Sequence, residues 1–493
     1  MSVSLNSPVV ITSTWTNFQS IVIYKSLSMQ YYDDGVIYSI FALDGPISYS
    51  CNIWHGTVPN GVIAGGYSQA QNDADKTSFE TNYKSTSNNP VNPIIFENNA
   101  QLDAFSRLRT VQPQTIFDNK QLVDNQPLIF DDQQISGSGT TSTYIVNQAT
   151  TQLSVSNVTA GTRVRQTFSR FMYQPGKSTY IKMTSVLGTG TTGITRRVGY
   201  FDGYNGLFFE LSGTTMNVAL RSDTSGSPVD TLIPQTSWNL DRFDGTGPSG
   251  VTLDTSKVQI FVIDFQWLGS GRIRFGFNIN GSNTYVHEIS NANTNNIVYM
   301  SISNLPIRYE ISNDGTGSAA NLFHICSSVT IEGGLQETGL VLSADRATIG
   351  LTTHNDSNIY PLIAIRLKST YQMATIDPLL LSIVCTSDTV YRYCLLINPT
   401  VTGTSLSFSG ITNSAIEAAL TTTNATTVSG GTQILSAYVD ASQTQSILIS
   451  DIPTYVRIGA NIAGVSDILV LGVQRITGTS ETFYGGMSWR EQI

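Results

Sequence analysis

An all-β fold, built from several antiparallel β-sandwiches with only short helices, is predicted by three features of this sequence. The first is residues 258–289, VQIFVIDFQWLGSGRIRFGFNINGSNTYVHEI, which read as three long strands joined by two tight turns. In RIRFGFNI, Ile273, Phe275, Phe277 and Ile279 alternate with Arg272, Arg274, Gly276 and Asn278. That is the two-residue period of a strand with one buried and one wet face. The second feature is the dipeptides Asn280-Gly281, Asn205-Gly206 and Asp34-Gly35, each set between strand-like runs. Asn, Asp and Gly tolerate the positive φ that tight hairpins demand. The third is strand spacing of roughly 8–12 residues without a fixed repeat, which favours sandwiches or jelly rolls over a solenoid.

The chain has 493 residues, enough for roughly three domains. Residues 1–98 form an N-terminal β module with runs at 20–31, 36–43 and 47–54. DADKTSFETNYK (73–84) reads as a short helix, with Phe79 and Tyr83 at i, i+4. STSNNPVNP (85–93) is a linker by its turn-forming Asn, Ser and Pro. Residues 99–139 have few periodic apolar positions and are expected to run as an extended arm or linker. Residues 140–335 carry the densest β pattern and are the central β-sandwich. Within it Val258–Trp267 is apolar on both faces, as in a strand covered on both sides. Residues 336–493 form a C-terminal β domain with strands such as YPLIAIRLKSTY and YRYCLLINPTV. SAIEAAL (414–420) is its expected helix, since Ser414 and Glu417 have capping-box spacing.

Composition narrows the function. Charged residues make up 12% of the chain, against ~25% in ordinary globular proteins. Ser, Thr, Asn and Gly fill the surface instead, and such a surface suits coverage by neighbours in an assembly. Lys and Arg number 26 against 35 acids, a net charge of −9, with no basic run. Arg163/Arg165/Arg170 and Arg196/Arg197 are the densest groupings, so nucleic acid is excluded as an expected partner. Cys51, Cys326, Cys385 and Cys394 show no metal spacing. Cys385 and Cys394 are close enough to meet across a hairpin, with buried free thiols as the competing state. MSVSLNSPVV has neither a basic nor an apolar leader pattern, and no stretch reaches the ~18 apolar residues of a membrane span. Synthesis in a cytoplasm without membrane insertion is expected, and the sequons at Asn157, Asn280, Asn355 and Asn424 are then coincidental.

No catalytic constellation stands out. Pro175-Gly176-Lys177-Ser178 imitates the end of a phosphate loop, but Phe171 occupies the place of the required glycine. No G-x-S-x-G is present. His55, His287, His324 and His354 are scattered one per region. The Asp/Gly-rich stretches 241–250 and 312–321 have oxygens suited to Ca²⁺ but lack the order of a strong loop site, and turn chemistry accounts for them. No metal or cofactor is expected. Tyr200, Phe201, Tyr204 and Trp238 lie near turn signals, where rings can stack on sugars; core packing is the competing reading.

Several stretches resemble the modular virion structural proteins of large tailed bacteriophages, especially those of aquatic hosts. They are DAFSRLRTVQPQTIFDNKQ with DNQPLIFDD, RQTFSRFMYQPGKS, RVGYFDGYNGLFFEL, LDTSKVQIFVIDFQWLGSGRIRFGF and SDILVLGVQRITGTSETFYGGMSWRE. The central segment resembles a concanavalin-like lectin sandwich in its strand pattern. The N-terminal IVIYKSLSMQYY and SFETNYKSTSNNP resemble small adaptor or anchoring modules of the same phages. The resemblance implies a non-enzymatic component of the virion, packed with itself and with other virion proteins. A homo-oligomer is expected, with a trimer leading. The alternative is a carbohydrate- or receptor-binding virion protein used in host attachment, with a host surface glycan on Tyr200, Tyr204 and Trp238. A polysaccharide-degrading enzyme is the weakest option. Asn205, Gly206, Asn280 and Gly281 are the structural turn residues.

Overall fold

The computed structural model describes residues 9–11, 28–33, 36–41, 103–104, 113–336, 338–386, 390–440, 445–448 and 458–492. Two units divide the chain, Met1–Glu97 and Asn98–Ile493. In the first, β1 (Val9–Ile11) runs parallel to β2 (Ser28–Asp33), which pairs antiparallel with β3 (Val36–Phe41). The pair Asp33↔Val36 brackets the expected Asp34-Gly35 turn, whose own residues lie outside the described ones. The run 47–54, the helix 73–84, the linker 85–93, Cys51 and His55 also lie outside them.

Among the described residues, the second unit opens with fifteen strands that make a two-sheet sandwich. They begin with β4 (Gln114–Lys120), β5 (Phe130–Gly137), β6 (Thr140–Ile145), β7 (Thr150–Val155) and β8 (Gly161–Thr167). Next come β9 (Thr179–Val186), β10 (Ile194–Phe201), β11 (Gly206–Ser212), β12 (Thr215–Ser222) and β13 (Val229–Pro234). The set closes with β14 (Gln259–Phe265), β15 (Ile273–Ile279), β16 (Ser282–Ile289), β17 (Ile307–Asn313) and β18 (Ala320–Ile331). One sheet has the order β13-β12-β11-β10-β17-β8-β5. The other runs β16-β15-β14-β9-β18-β7-β6, with β4 sharing the flank of the long β18.

Alternation explains the core between these sheets. Phe275 and Phe277 of β15, Phe261 and Ile263 of β14, and Phe209 of β11 all point inward and are fully buried. The Phe277 ring lies 5.2–5.3 Å from those of Phe209, Phe243 and Phe261, within the range of favourable ring pairs. β14 is covered on its other face as well, where Val262 packs with Tyr180 and Tyr285. The face of β15 expected to be wet is corrected here. Arg274 is buried, because Asp264 on β14 accepts its Nη2 at 2.5 Å and also accepts Tyr285 Oη and Ser178 Oγ. The 279–282 connection is the expected two-residue hairpin: Ile279 pairs with Ser282, and Asn280 and Gly281 have φ of 51° and 84°.

The arm expected over 99–139 is also corrected, for its described residues. β4 and β5 are integral strands, and Phe117 and Phe130 enter the core against Phe171, so the sandwich begins at β4. Beside them Arg165 is fully buried. It donates Nε to His324 Nδ1 at 3.2 Å, pairs with Asp132 at 3.3 Å and lies 4.4 Å over the Phe130 ring. Burial brings the Arg165 guanidinium down to about 10 although Asp132 opposes the shift.

Thirteen further strands follow. They are β19 (Leu340–Asp345), β20 (Leu351–Thr352), β21 (Tyr360–Leu367), β22 (Thr375–Cys385), β23 (Val390–Ile397), β24 (Thr400–Gly403) and β25 (Ser409–Gly410). After these come β26 (Ile416–Ala419), β27 (Thr426–Ser429), β28 (Thr432–Asp440), β29 (Gln445–Leu448), β30 (Ile468–Arg475) and β31 (Thr482–Gln492). Sheets β19-β31-β22-β29 and β25-β26-β21-β30-β23-β28 enclose a second core around Ile363, Ile365, Tyr391, Leu471, Phe483 and Trp489. The β24-β27 ribbon covers the outer face of the latter sheet. The helix expected at 414–420 is instead β26. Ala415 N donates to the Glu491 carboxylate at 2.8 Å, Ser414 Oγ bonds the same carboxylate, and Glu417 pairs with Arg366 at 2.5 Å. Tertiary pairing overrides a good local helix signal. Cys326, Cys385 and Cys394 form no disulfide, and Cys385 and Cys394 belong to different apolar clusters.

Candidate functional site

The outer face of the seven-stranded sheet carries an ionic layer instead of solvated polar groups. On β10, β11, β12 and β17 the residues alternating with the core are Arg197, Phe201, Phe208, Glu210, Ala219, Arg221, Arg308 and Glu310. Phe201, Phe208 and Ala219 form a fully buried patch. Arg221 and Arg308 lie 5.7 and 5.3 Å from the Phe201 ring, and Arg197 lies 5.6 Å from that of Phe208. The guanidiniums are in turn held by carboxylates: Arg197 to Glu210 at 2.8 Å and Glu310 at 2.6 Å, Arg308 to Glu310 at 2.6 Å, and Arg221 to Asp230 at 2.7 Å. Burial works against ionisation of Glu310, but Arg308 and Arg197 outweigh it and hold its carboxyl at about 2.

At one end of this face lies a cleft of about 450 Å³. Its walls come from Gln166, Arg170, Arg308 and the 202–204 turn of the central sandwich, and from Gln372 and the 460–464 loop of the C-terminal sheets. The turn is rigid for a local reason. Asp202 Oδ1 accepts Tyr204 N at 2.7 Å and Asn205 N at 2.8 Å, while Oδ2 accepts Arg170 Nη1 at 2.8 Å. An Asp bonding the backbone two and three residues on is ordinary turn chemistry. Across the cleft Asp131 Oδ2 accepts Ile462 N at 2.7 Å, and Gln372 Nε2 bonds Gly464 O. Asn461 Oδ1 accepts Val465 N at 2.8 Å, which closes the loop on itself.

Of the three aromatics expected to meet a glycan, the cleft takes one. Tyr204 is 53% exposed and lines it. Tyr200 is a core residue whose Oη lies 2.8 and 3.0 Å from the carbonyls of Phe171 and Ser303 and accepts Leu305 N. Trp238 is 3% exposed, donates Nε1 to Ile233 O at 3.2 Å and packs toward Phe277. Neither offers a ring face to a ligand, because both point into the sandwich. Asn205-Gly206 is not a two-residue turn either. Residues 202–205 form the loop, Asp202 N donates to Asn205 O, and Gly206 pairs with Phe201. A Cβ on Gly206 would lie 2.1 Å from that of Phe201, which explains the glycine. Asn205 Nδ2 reaches Asp223 Oδ1 and Ser301 Oγ.

The remaining candidates resolve into structure. Pro175–Ser178 is a turn with Gly176 at φ 82°, Lys177 bonded to Gln174 and Ser178 to Asp264. His287 Nδ1 accepts Asn239 N, and burial lowers its imidazole to about 4. His324 stacks on Tyr309 at 4.0 Å and is held well below its ordinary value by burial and by Arg165. In the Asp/Gly loops Asp244 and Asp314 each accept from the amide and hydroxyl of the threonine two residues on. Asp241 accepts the amides of Phe243 and Ser249. Among the described residues no three His, Cys, Asp or Glu side chains converge as metal ligands. Sequence reasoning missed Arg170, Gln166, Arg308 and Asn461 as cleft residues, because only the fold brings them together.

No family model matches the sequence, and no curated protein matches it. Solved structures similar to it include a legume lectin-like domain from Entamoeba histolytica, at 10% identity, a TM-score of 0.27, and 43% of this chain over 95% of that one. A glycoside hydrolase family protein from Mycobacterium thermorestibile has 12% identity and a TM-score of 0.30 over 43% and 99% of the two chains. The Emp47p carbohydrate recognition domain has 9% identity and a TM-score of 0.29 over 44% and 96%.

Proposed function

We propose that the chain is a non-enzymatic carbohydrate-binding protein whose ligand lies in the Tyr204 cleft. The observation that carries this reading is the position of Tyr204, a largely exposed ring on a turn fixed by Asp202, above a wall of guanidinium and amide groups. A sugar ring presents apolar C–H groups on its face and hydroxyls on its rim, so an aromatic plate beside planar polar groups complements both. The volume lies within the ~300–1,000 Å³ of small-ligand pockets, which favour domain junctions. The carboxylates of the adjoining face support the absence of catalysis. Glycoside hydrolysis needs one carboxylic acid that keeps its proton near neutral pH. Here Glu210, Glu310, Asp230 and Asp202 are each paired with a guanidinium.

The test is a glycan array and host-cell adsorption with the purified chain and with Tyr204→Ala. Saturable binding that weakens about tenfold or more in the variant, at an unchanged melting temperature, is the expected result. Trp238→Ala does not serve, since it opens the core. If no glycan is retained, the reading fails and a second gains. In that second reading the chain is a tailed-phage virion component acting through packing, in the tail, baseplate, fibre or head surface. It is supported by the long resembling stretches and the low charge content.

A further inference from the structure

We infer that the cleft selects an acidic glycan, in which a sugar carboxylate is seated against Arg170. The inference rests on the carbohydrate reading above and adds the chemical class of the ligand.

Asp202 is held by three donors, two backbone amides on Oδ1 and Arg170 on Oδ2. Arg308 gives Nε and Nη2 to Glu310 and Nη1 to Gln166 Oε1 at 3.1 Å. Arg170 uses Nη1 alone, on Asp202 and on Asn304 O at 3.2 Å. Its Nε and Nη2 have no partner among the described residues, and neither have Gln166 Nε2 and Asn461 Nδ2. The unmatched groups are therefore mainly donors, and two of them form the Nε–Nη2 edge of a guanidinium whose Nη1 is already paired with Asp202. The open side-chain acceptors there are Gln372 Oε1 and the Tyr204 hydroxyl, with one further position on Asp202 Oδ2 beside its bond from Arg170.

A neutral sugar brings hydroxyls that donate as readily as they accept, and leaves this edge without a charged acceptor. A carboxylate is planar and accepts two parallel N–H bonds in the fork geometry of an arginine edge. The chain as a whole is acidic, at −9, so it does not collect anions by its overall field. Recognition is then local to Arg170, and a single fork rather than a basic stripe matches one carboxylated sugar better than a polyanionic backbone.

The test is calorimetric titration of the full chain with trigalacturonate, its methyl ester and neutral cellotriose, with inorganic sulfate as competitor. Trigalacturonate is expected to bind about tenfold or more tighter than its ester, with affinity falling as salt rises. Arg170→Lys keeps the charge but not the fork, and is expected to erase most of that difference. The acid–ester comparison needs no variant and stands if Arg170→Lys fails to fold. Equal affinity for acid and ester overturns acid selection and leaves the carbohydrate reading intact. Displacement of trigalacturonate by equimolar sulfate overturns it too, since the cleft would then be a simple anion site. Binding of none of the saccharides overturns both readings.

Discussion

Neutralising Glu310 by Glu310→Gln gives the sharpest test of the ionic layer. The side chain is buried between Arg308 and Arg197, with contacts of 2.6 Å to each. Glutamine keeps the shape and an acceptor but removes the charge, so Arg308 is left with Gln166 as its remaining side-chain partner in the layer. A carboxyl moved from the ordinary 4.5 to about 2 contributes on the order of 3 kcal/mol. Breaking one partner out of a buried pair costs about 3–5 kcal/mol by a separate line of reasoning. The sign follows from proton uptake. Between about 4.5 and about 2 the unfolded chain protonates this group while the folded one does not. The contribution is complete above about 4.5 and disappears as pH falls toward about 2. Urea unfolding followed by circular dichroism should therefore show the variant about 3 kcal/mol less stable near pH 7, with the gap shrinking below about 1 kcal/mol near pH 2. His287 and His324 also oppose protonation in the fold, but they do so equally in both proteins and cancel in the difference. A gap that stays constant with pH, or no gap at neutral pH, refutes the reasoning.

Two further outcomes follow from the fold. Gly281→Val should lower the melting temperature by an amount equivalent to about 1–3 kcal/mol; φ is 84° and no atom lies within 4 Å of the added Cβ, so backbone strain alone acts, and an unchanged melt would contradict the hairpin. The chain should form a homo-oligomer, a trimer in the leading case, because β13 ends its sheet with Val229 and Leu232 exposed; light scattering that gives a monomer at micromolar concentration would exclude this.

The β architecture was legible wherever one strand face meets the core, because burial then writes a two-residue period into the sequence. β14–β16 and the Asn280-Gly281 turn are read directly for that reason. The period misleads where the second face is also closed. Arg274 looks solvated in sequence, yet Asp264 removes it from water. β4 and β5 escaped notice because polar residues outnumber the apolar ones: QTIFDNK has only Ile116 and Phe117, and FDDQQISG only Phe130 and Ile135. The helix expected at 414–420 failed for the opposite reason, since its local signal was sound and the buried Glu491 claimed Ser414 and Ala415. The cleft was the least legible part. Turn signals pointed to Tyr204, but they pointed equally to Tyr200 and Trp238, whose direction depends on strand phase and loop path. Arg170, Arg308 and Asn461 are far apart in sequence, and no local spacing links them.

The cleft also has a physical reason to hold its shape before any ligand arrives. The loop that closes it is tied at both ends by Asp467, whose Oδ2 accepts Gly459 N at 3.2 Å and whose Oδ1 accepts Asn398 Nδ2 at 2.8 Å. Burial, with Asp131 nearby, raises the Asp467 carboxyl, opposed by those two hydrogen bonds. Midway, Ile462 N is donated to Asp131 on β5. The facing wall is fixed by Asp202 through three donors. Ordering a loop on binding costs about 0.5–1.5 kcal/mol for each rotamer-rich side chain that is immobilised. Here that cost is already met in folding, so the proposed ligand would need only a few well-placed contacts. The cleft is composite: Tyr204 and Arg170 come from connections of the first sandwich, and Asn461 and Gln372 from connections of the C-terminal sheets. A change at Asp131, which does not itself line the cleft, therefore loosens Ile462 and widens the cleft. Strand β5, which the sequence presents as a polar arm, is in this way part of the cleft wall as well as an edge of the sandwich.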